Sequence, residues 1–176
     1  LRREEVDLVG LLVDTVADAR AAGPEHDWQL DLAVLEPPAD ATQEEAEDFL
    51  PEPPLVIGDE ARLRQVVVNL LANARVHPPA GSHVTTTLMR EGDTLIVRIH
   101  DDGPGIAPDV RDRLFERFAR GDSSRERRTG STGLGMSIAL AIVQSHGGSI
   151  DVDSSTASED HGTTFTVRLP AAVVEE

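Results

Sequence analysis

Asn69 and Asn73 stand four residues apart in a stretch, Asp59 to His77, reading Asp-Glu-Ala-Arg-Leu-Arg-Gln-Val-Val-Val-Asn-Leu-Leu-Ala-Asn-Ala-Arg-Val-His. Leu63, Val66, Val67, Leu70, Leu71 and Ala74 recur at helical spacing and define one buried stripe. At about 100° per residue the two amides then share a face beside that stripe. Such a flank can look into a ligand pocket, or it can simply be solvated. Asp59 is suited to cap the helix, and Pro78 with Pro79 ends it by removing donors and pushing His77 out of α geometry.

Three glycine-bearing stretches could also do chemistry. In Asp101-Asp102-Gly103-Pro104-Gly105 the glycines let the backbone turn sharply and approach a flat ligand, while the carboxylate at 101 can accept from an exocyclic amine. The same letters are also plain turn chemistry. Gly130 to Ser137 opens a helix whose first N–H groups and positive dipole end can hold phosphate oxygens without any lysine. A dinucleotide fingerprint would put its glycines after the first strand, and these come late in the chain. Gly162-Thr163-Thr164-Phe165 begins a final strand and carries almost no signal by itself.

The elements that must position these residues follow from periodicity. Asp7 caps an expected helix to about Ala22, stopped by Gly23-Pro24. Residues 1 to 7 read as polar, and Trp28 to Val34 alternate as a half-buried strand. Residues 36 to 54 are rich in Pro, Ala and acids and read as a mobile acidic surface insertion. Leu55 to Ile57 form a short strand into the asparagine helix. His83 to Arg90 and Thr94 to His100 form a hairpin around Glu91-Gly92-Asp93. A short helix starts near Pro108 and carries Leu114, Phe115 and Phe118, a polar segment from 121 to 131 suggests a mobile lid, and Gly133 to His146 is a second amphipathic helix. Ser149 to Asp153 and Thr163 to Leu169 are the last strands. Hairpin links among alternating helices and strands predict an α/β two-layer sandwich: a mixed, largely antiparallel sheet with its helices on one face.

Bulk properties bound the function. The 176 residues suit a single domain spanning 1 to 176, and no run approaches a membrane span or a signal peptide. Beginning on Leu1 rather than Met, the chain is expected to be a fragment or a processed piece. There are no cysteines, hence no disulfides or thiolate metal sites. A formal charge of −16 argues against nucleic acid as a partner. Every basic residue is arginine, which excludes the P-loop and protein-kinase lysines; Arg111, Arg113, Arg117, Arg120, Arg125, Arg127 and Arg128 form a local cationic exception.

Taken in order, the motifs resemble the ATP-binding family shared by gyrase, heat-shock chaperone ATPases, mismatch-repair ATPases and histidine kinases. They are most similar to the catalytic and ATP-binding domain of a bacterial two-component sensor histidine kinase. The asparagine helix matches the N box, 101 to 105 the first glycine box, Leu114 to Phe118 the F box, 130 to 135 the second glycine box and Gly162 to Phe165 the last. The resemblance implies ATP and Mg²⁺ as cofactors. By it, Asp101 recognises the adenine amine, with Thr163 supporting the same pocket through water, and Asn73 with Asn69 holds Mg²⁺ against the triphosphate. Gly103, Gly105, Ile106 and Leu134 are further nucleotide-binding positions, His77 or an arginine of the 111 to 128 cluster stands in for the usual cation on the phosphates, and Gly133 and Gly135 meet the phosphates beneath an ATP lid at 121 to 131.

One position separates branches of that family. ATP-hydrolysing members and the related serine kinases place a Glu where this chain has Asn69, and an amide cannot take a proton at neutral pH. Asn69 therefore favours phosphoryl transfer to histidine over hydrolysis. The alternatives are an ATPase or serine kinase of the same fold and a catalytically degenerate nucleotide-binding regulatory module. Val76 replaces the usual cation before position 77, and Pro78 replaces the usual Ser or Thr. None of the six histidines has the setting of an acceptor, so the expectation is ATP binding without self-phosphorylation. The implied partners are a histidine-bearing dimerisation domain of the same protein and a response regulator receiver domain. The parent is expected to be a homodimer, and this piece cytoplasmic, without membrane contact.

Overall fold

The structure, a computed structural model, describes residues 2–76, 79–109, 133–159 and 161–173. The chain opens with β1 (Glu4–Asp7) and α1 (Leu8–Ala22), then β2 (Asp27–Asp31) and a single 3-10 turn at Ala33–Leu35. There follow α2 (Gln43–Glu47), β3 (Leu55–Gly58), α3 (Glu60–Val76) and the hairpin of β4 (His83–Glu91) and β5 (Thr94–Asp101). After α4 (Gly133–Ser145) come β6 (Ser149–Ser155) and β7 (Gly162–Pro170). The expected lid, Phe115 and Phe118, the arginine cluster, His77 and Pro78 lie outside the described residues.

A five-stranded sheet runs in the order β2-β4-β5-β7-β6, with β2 parallel to β4 and every other pair antiparallel. It is mixed and largely antiparallel, as the hairpin links imply. Alternation sends Val84 and Leu88, then Leu95, Val97 and Ile99, then Phe165, Val167 and Leu169 to one side. There they form one core with Leu11, Leu12 and Val16 of α1, the whole stripe of α3 and Met136, Ala139 and Val143 of α4. All six stripe residues of α3 are buried, Leu70 completely. Each such side chain contributes roughly 1.5–3 kcal/mol by leaving water. That burial holds the asparagine face at a set angle to α4.

Two expectations are corrected. Residues 4 to 7 are not merely polar: they pair antiparallel with Leu55–Gly58 as a separate two-stranded ribbon, placing Val6 and Val56 in the core. Strand β2 ends at Asp31 rather than reaching Val34, and the N–H groups of Leu35 and Glu36 turn back to Leu32 and Ala33. Val34 is buried from that turn, so an apolar residue at strand spacing does not require a strand. Within the acidic stretch, Thr42 and Glu45 cap α2 reciprocally, and Glu52 pairs with Arg90 at 3.2 Å.

Candidate functional site

The inward parity of β5 runs Leu95, Val97, Ile99 and then Asp101, a carboxylate where the pattern calls for a hydrocarbon. In register beside it stand Val84 on β4, Thr163 on β7 and, beyond that, Ser154 on β6. Three polar side chains thus continue the core face of the sheet at one end. Asp101 is only 8% exposed and Thr163 4%. Polar groups so buried are costly unless they are hydrogen-bonded, and these are. Asp101 Oδ1 accepts from the Gly103 N–H at 2.9 Å, and the Thr163 hydroxyl lies 2.9 Å from Ser154 Oγ.

The same end carries the first glycine loop. Gly105 has φ +85°, and a Cβ there would stand 2.1 Å from the Ser155 carbonyl oxygen, so only glycine lets the loop close on β6. The Ile106 N–H then donates to Ser154 Oγ at 2.7 Å. From the other side His161 Nδ1 lies 2.6 Å from the Gly103 oxygen; a carbonyl only accepts, so Nδ1 carries the proton. Gly162 passes so close to β5 that an added Cβ would lie 2.6 Å from the Asp101 oxygen. The loop from 101 to 106 is therefore tied to the sheet by a serine and a histidine.

α4 brings the third part. Its 13 residues span about 18 Å, Gly147 and Gly148 reverse the chain, and five strand steps from Ser149 to Ser154 return about 17 Å. The helix and the returning strand are thus of matching length. At the start of α4 Asn69 Nδ2 donates to the Gly135 carbonyl at 3.3 Å, and Asn73 Nδ2 meets Met136 Sδ at 3.2 Å. A carbonyl partner demands the NH₂ end of Asn69, and the thioether suits that of Asn73, so both amides direct nitrogen to α4 and oxygen away from it. Oxygen of that kind fits a hard cation such as Mg²⁺.

The far end of the pair is latched. His146, just after α4, gives its Nδ1 proton to the Ile142 carbonyl at 2.7 Å, leaving Nε2 to accept from the Asp59 N–H at 3.1 Å. The backbone of Gly58 packs on this ring, where an added Cβ would come within 2.3 Å of His146 Cδ2. Gly58→Ala is expected to lower stability by about 1–3 kcal/mol, through overpacking and displacement of the latch. Urea unfolding checks it, and adding His146→Ala should recover part of the loss in a double-mutant cycle.

The structure therefore groups Asp101, Gly103, Gly105, Ile106 and Thr163 at one end of the sheet, and Asn69 and Asn73 beside Gly135 and Met136 at the start of α4. Gly133 and Leu134 supply backbone to the first turn of α4. His77 lies outside the described residues. Sequence reasoning missed Ser154, His161 and His146. A signal existed for the serine: Ile150, Val152 and Ser154 share strand parity, as Val97, Ile99 and Asp101 do. The histidines had none, because their partners are 58 and 87 residues away.

Against known proteins, residues 58–173 match the family described as histidine kinase-, DNA gyrase B-, and HSP90-like ATPase. The probable sensor histidine kinase TcrY of Mycobacterium tuberculosis is 47% identical over 170 residues, which cover 97% of this chain and 31% of TcrY. The chain spans about a third of the length of the curated relatives it matches. Among solved structures, the mycobacterial sensor histidine kinase MprB superposes with a TM-score of 0.75 at 27% identity, covering 98% of this chain and 99% of that one. Full-length ShkA in complex with AMPPNP superposes at 0.69 with 25% identity, covering all of this chain and 32% of ShkA. The chain belongs to the histidine kinase-, DNA gyrase B- and HSP90-like ATPase family, as an ATP-binding catalytic domain of the sensor histidine kinase type.

Proposed function

We propose that the chain positions Mg-ATP for transfer of its γ-phosphoryl to a histidine on a dimerisation domain of the parent protein, for onward transfer to a response regulator receiver domain. The observation that supports this reading is that one fold carries a buried acceptor row suited to the base, Asp101 in register with Thr163, and two amides held beside the start of α4. ShkA, of the same fold, holds a nucleotide analogue in its structure. Mg²⁺, when bound, would neutralise charge on the phosphates. Asn73 and Asn69 are the residues that would hold it, by their amide oxygens. Position 69 offers no proton acceptor for water, which favours an acceptor that is already nucleophilic, a neutral imidazole. In this reading the parent is a homodimeric, membrane-anchored sensor and this domain lies in the cytoplasm; among the described residues no helix is long and apolar enough to cross a membrane.

Calorimetric titration with ATP, with and without Mg²⁺, tests the binding half. Mixing the domain with an acceptor helical hairpin and labelled ATP tests transfer, where phosphohistidine is the expected product. Release of free phosphate without phosphohistidine would overturn it. Asp101→Asn replaces one acceptor by a donor facing the base amine. ATP affinity is expected to fall about 10- to 100-fold, the worth of a hydrogen bond to a charged group, while unfolding remains cooperative. Unchanged affinity would remove Asp101 from the base pocket.

A further inference from the structure

We infer that Ser154 sets the base specificity of this site by fixing the direction of the Thr163 hydroxyl. The inference rests on the proposed adenine pocket and deepens it. Ser154 Oγ has three partners: the Ile106 N–H at 2.7 Å, the Gly162 carbonyl at 3.1 Å and Thr163 Oγ1 at 2.9 Å. A hydroxyl has one proton and two lone pairs. The Ile106 N–H can only donate and the Gly162 carbonyl can only accept. Ser154 therefore gives its proton to Gly162 and takes one on each lone pair, from Ile106 and from Thr163. Only this arrangement makes all three contacts hydrogen bonds, and it saturates the serine.

The consequence falls on Thr163. With its proton committed to Ser154, its oxygen can only accept from a ligand. Its register partner Asp101, as a carboxylate, is likewise acceptor-only. The edge of a base that meets this pair, directly or through one water whose two protons go to Asp101 and Thr163, must bring donors. The 6-amino group of adenine brings two N–H groups. Hypoxanthine brings an oxygen at the same position and an inverted donor pattern at the neighbouring ring nitrogen. Ser154 is in this sense a positioning residue: it touches no ligand and acts through the polarity it imposes on Thr163.

The measurement is the ratio of ATP to inosine triphosphate affinity, by competition calorimetry on the whole chain. The wild type is expected to prefer ATP by about 10- to 100-fold, the scale of one unpaired buried polar group. In Ser154→Ala the Thr163 hydroxyl regains rotational freedom and can donate to the inosine oxygen, so the ratio should fall by about 3- to 10-fold, the worth of one neutral hydrogen bond, while Asp101 keeps the remaining preference. Ser154→Thr, which restores a hydroxyl, should recover it. Should the alanine variant not fold, Ser154→Cys keeps the side chain in place with a much weaker acceptor, and its ratio should fall as well. A loop-anchoring role alone would weaken both nucleotides equally and leave the ratio intact, overturning the inference while the kinase reading stands. If the wild type binds neither nucleotide, the adenine pocket itself fails and the inference fails with it.

Discussion

Asn73→Ala should remove the Mg²⁺-dependent part of ATP affinity and reduce phosphoryl transfer to an acceptor hairpin by at least about 100-fold. The buried stripe of α3 orients Asn73 toward α4, and the contact of its nitrogen with Met136 Sδ at 3.2 Å turns the amide oxygen away from that helix. Supporting partners around metal sites already cost about 10- to 100-fold in affinity or activity when removed, so loss of Asn73, if it supplies an oxygen ligand as proposed, should sit at or beyond that range. Alanine is a strong helix former, so the helix should survive. Parallel titrations in Mg²⁺ and in a chelator check it: the wild type should bind more tightly with the ion, and the variant equally in both. A variant that kept its Mg²⁺ response would exclude Asn73 as a ligand and shift attention to Asn69.

Gly105→Ala should be nearly as damaging, for a different reason. An alanine Cβ would lie 2.1 Å from the Ser155 oxygen and 2.7 Å from its carbonyl carbon, both backbone atoms that no rotamer change can move. The left-handed φ of +85° adds about 1–2 kcal/mol of strain for a residue with a Cβ. The loop must then lift from β6, breaking the 2.7 Å bond from Ile106 to Ser154. ATP affinity should fall at least about 10-fold, with a measurable drop in melting temperature. Gly81→Ala supplies the comparison: its φ is +88°, but no atom lies within 4 Å of the added Cβ. That variant should lose only the strain energy and keep its nucleotide affinity, so the difference between the two isolates the contact with β6.

The stripe of α3 was legible because helical spacing and burial are one periodic property: Leu63, Val66, Val67, Leu70, Leu71 and Ala74 are all buried as their spacing requires. The hairpin was legible because Glu91-Gly92-Asp93 separates two alternating runs, and Gly92 takes φ +58°. Asp101 could be singled out as an acceptor after a strand. Those features depend on neighbours within one turn or one strand. They determined the layers of the fold, the two amides on one helix face and the glycine turns.

Only the tertiary structure decided what those residues meet. The strand at residues 4 to 7 exists because Leu55–Gly58 pairs with it about fifty residues later, and nothing in its own polar letters required that. The end of β2 at Asp31 is likewise absent from its letters, since β4 runs on past Thr87 to Glu91 and Val34 reaches the core from a turn as well as from a strand. The row of Asp101, Thr163 and Ser154 arises from register among three strands, and register is a property of pairing. The amide direction of Asn69 and Asn73 depends on atoms 66 and 63 residues away. A sequence names the groups that can accept or donate. Which way each proton points is set only when distant backbone is brought within about 3 Å, the scale over which hydrogen bonds choose their direction.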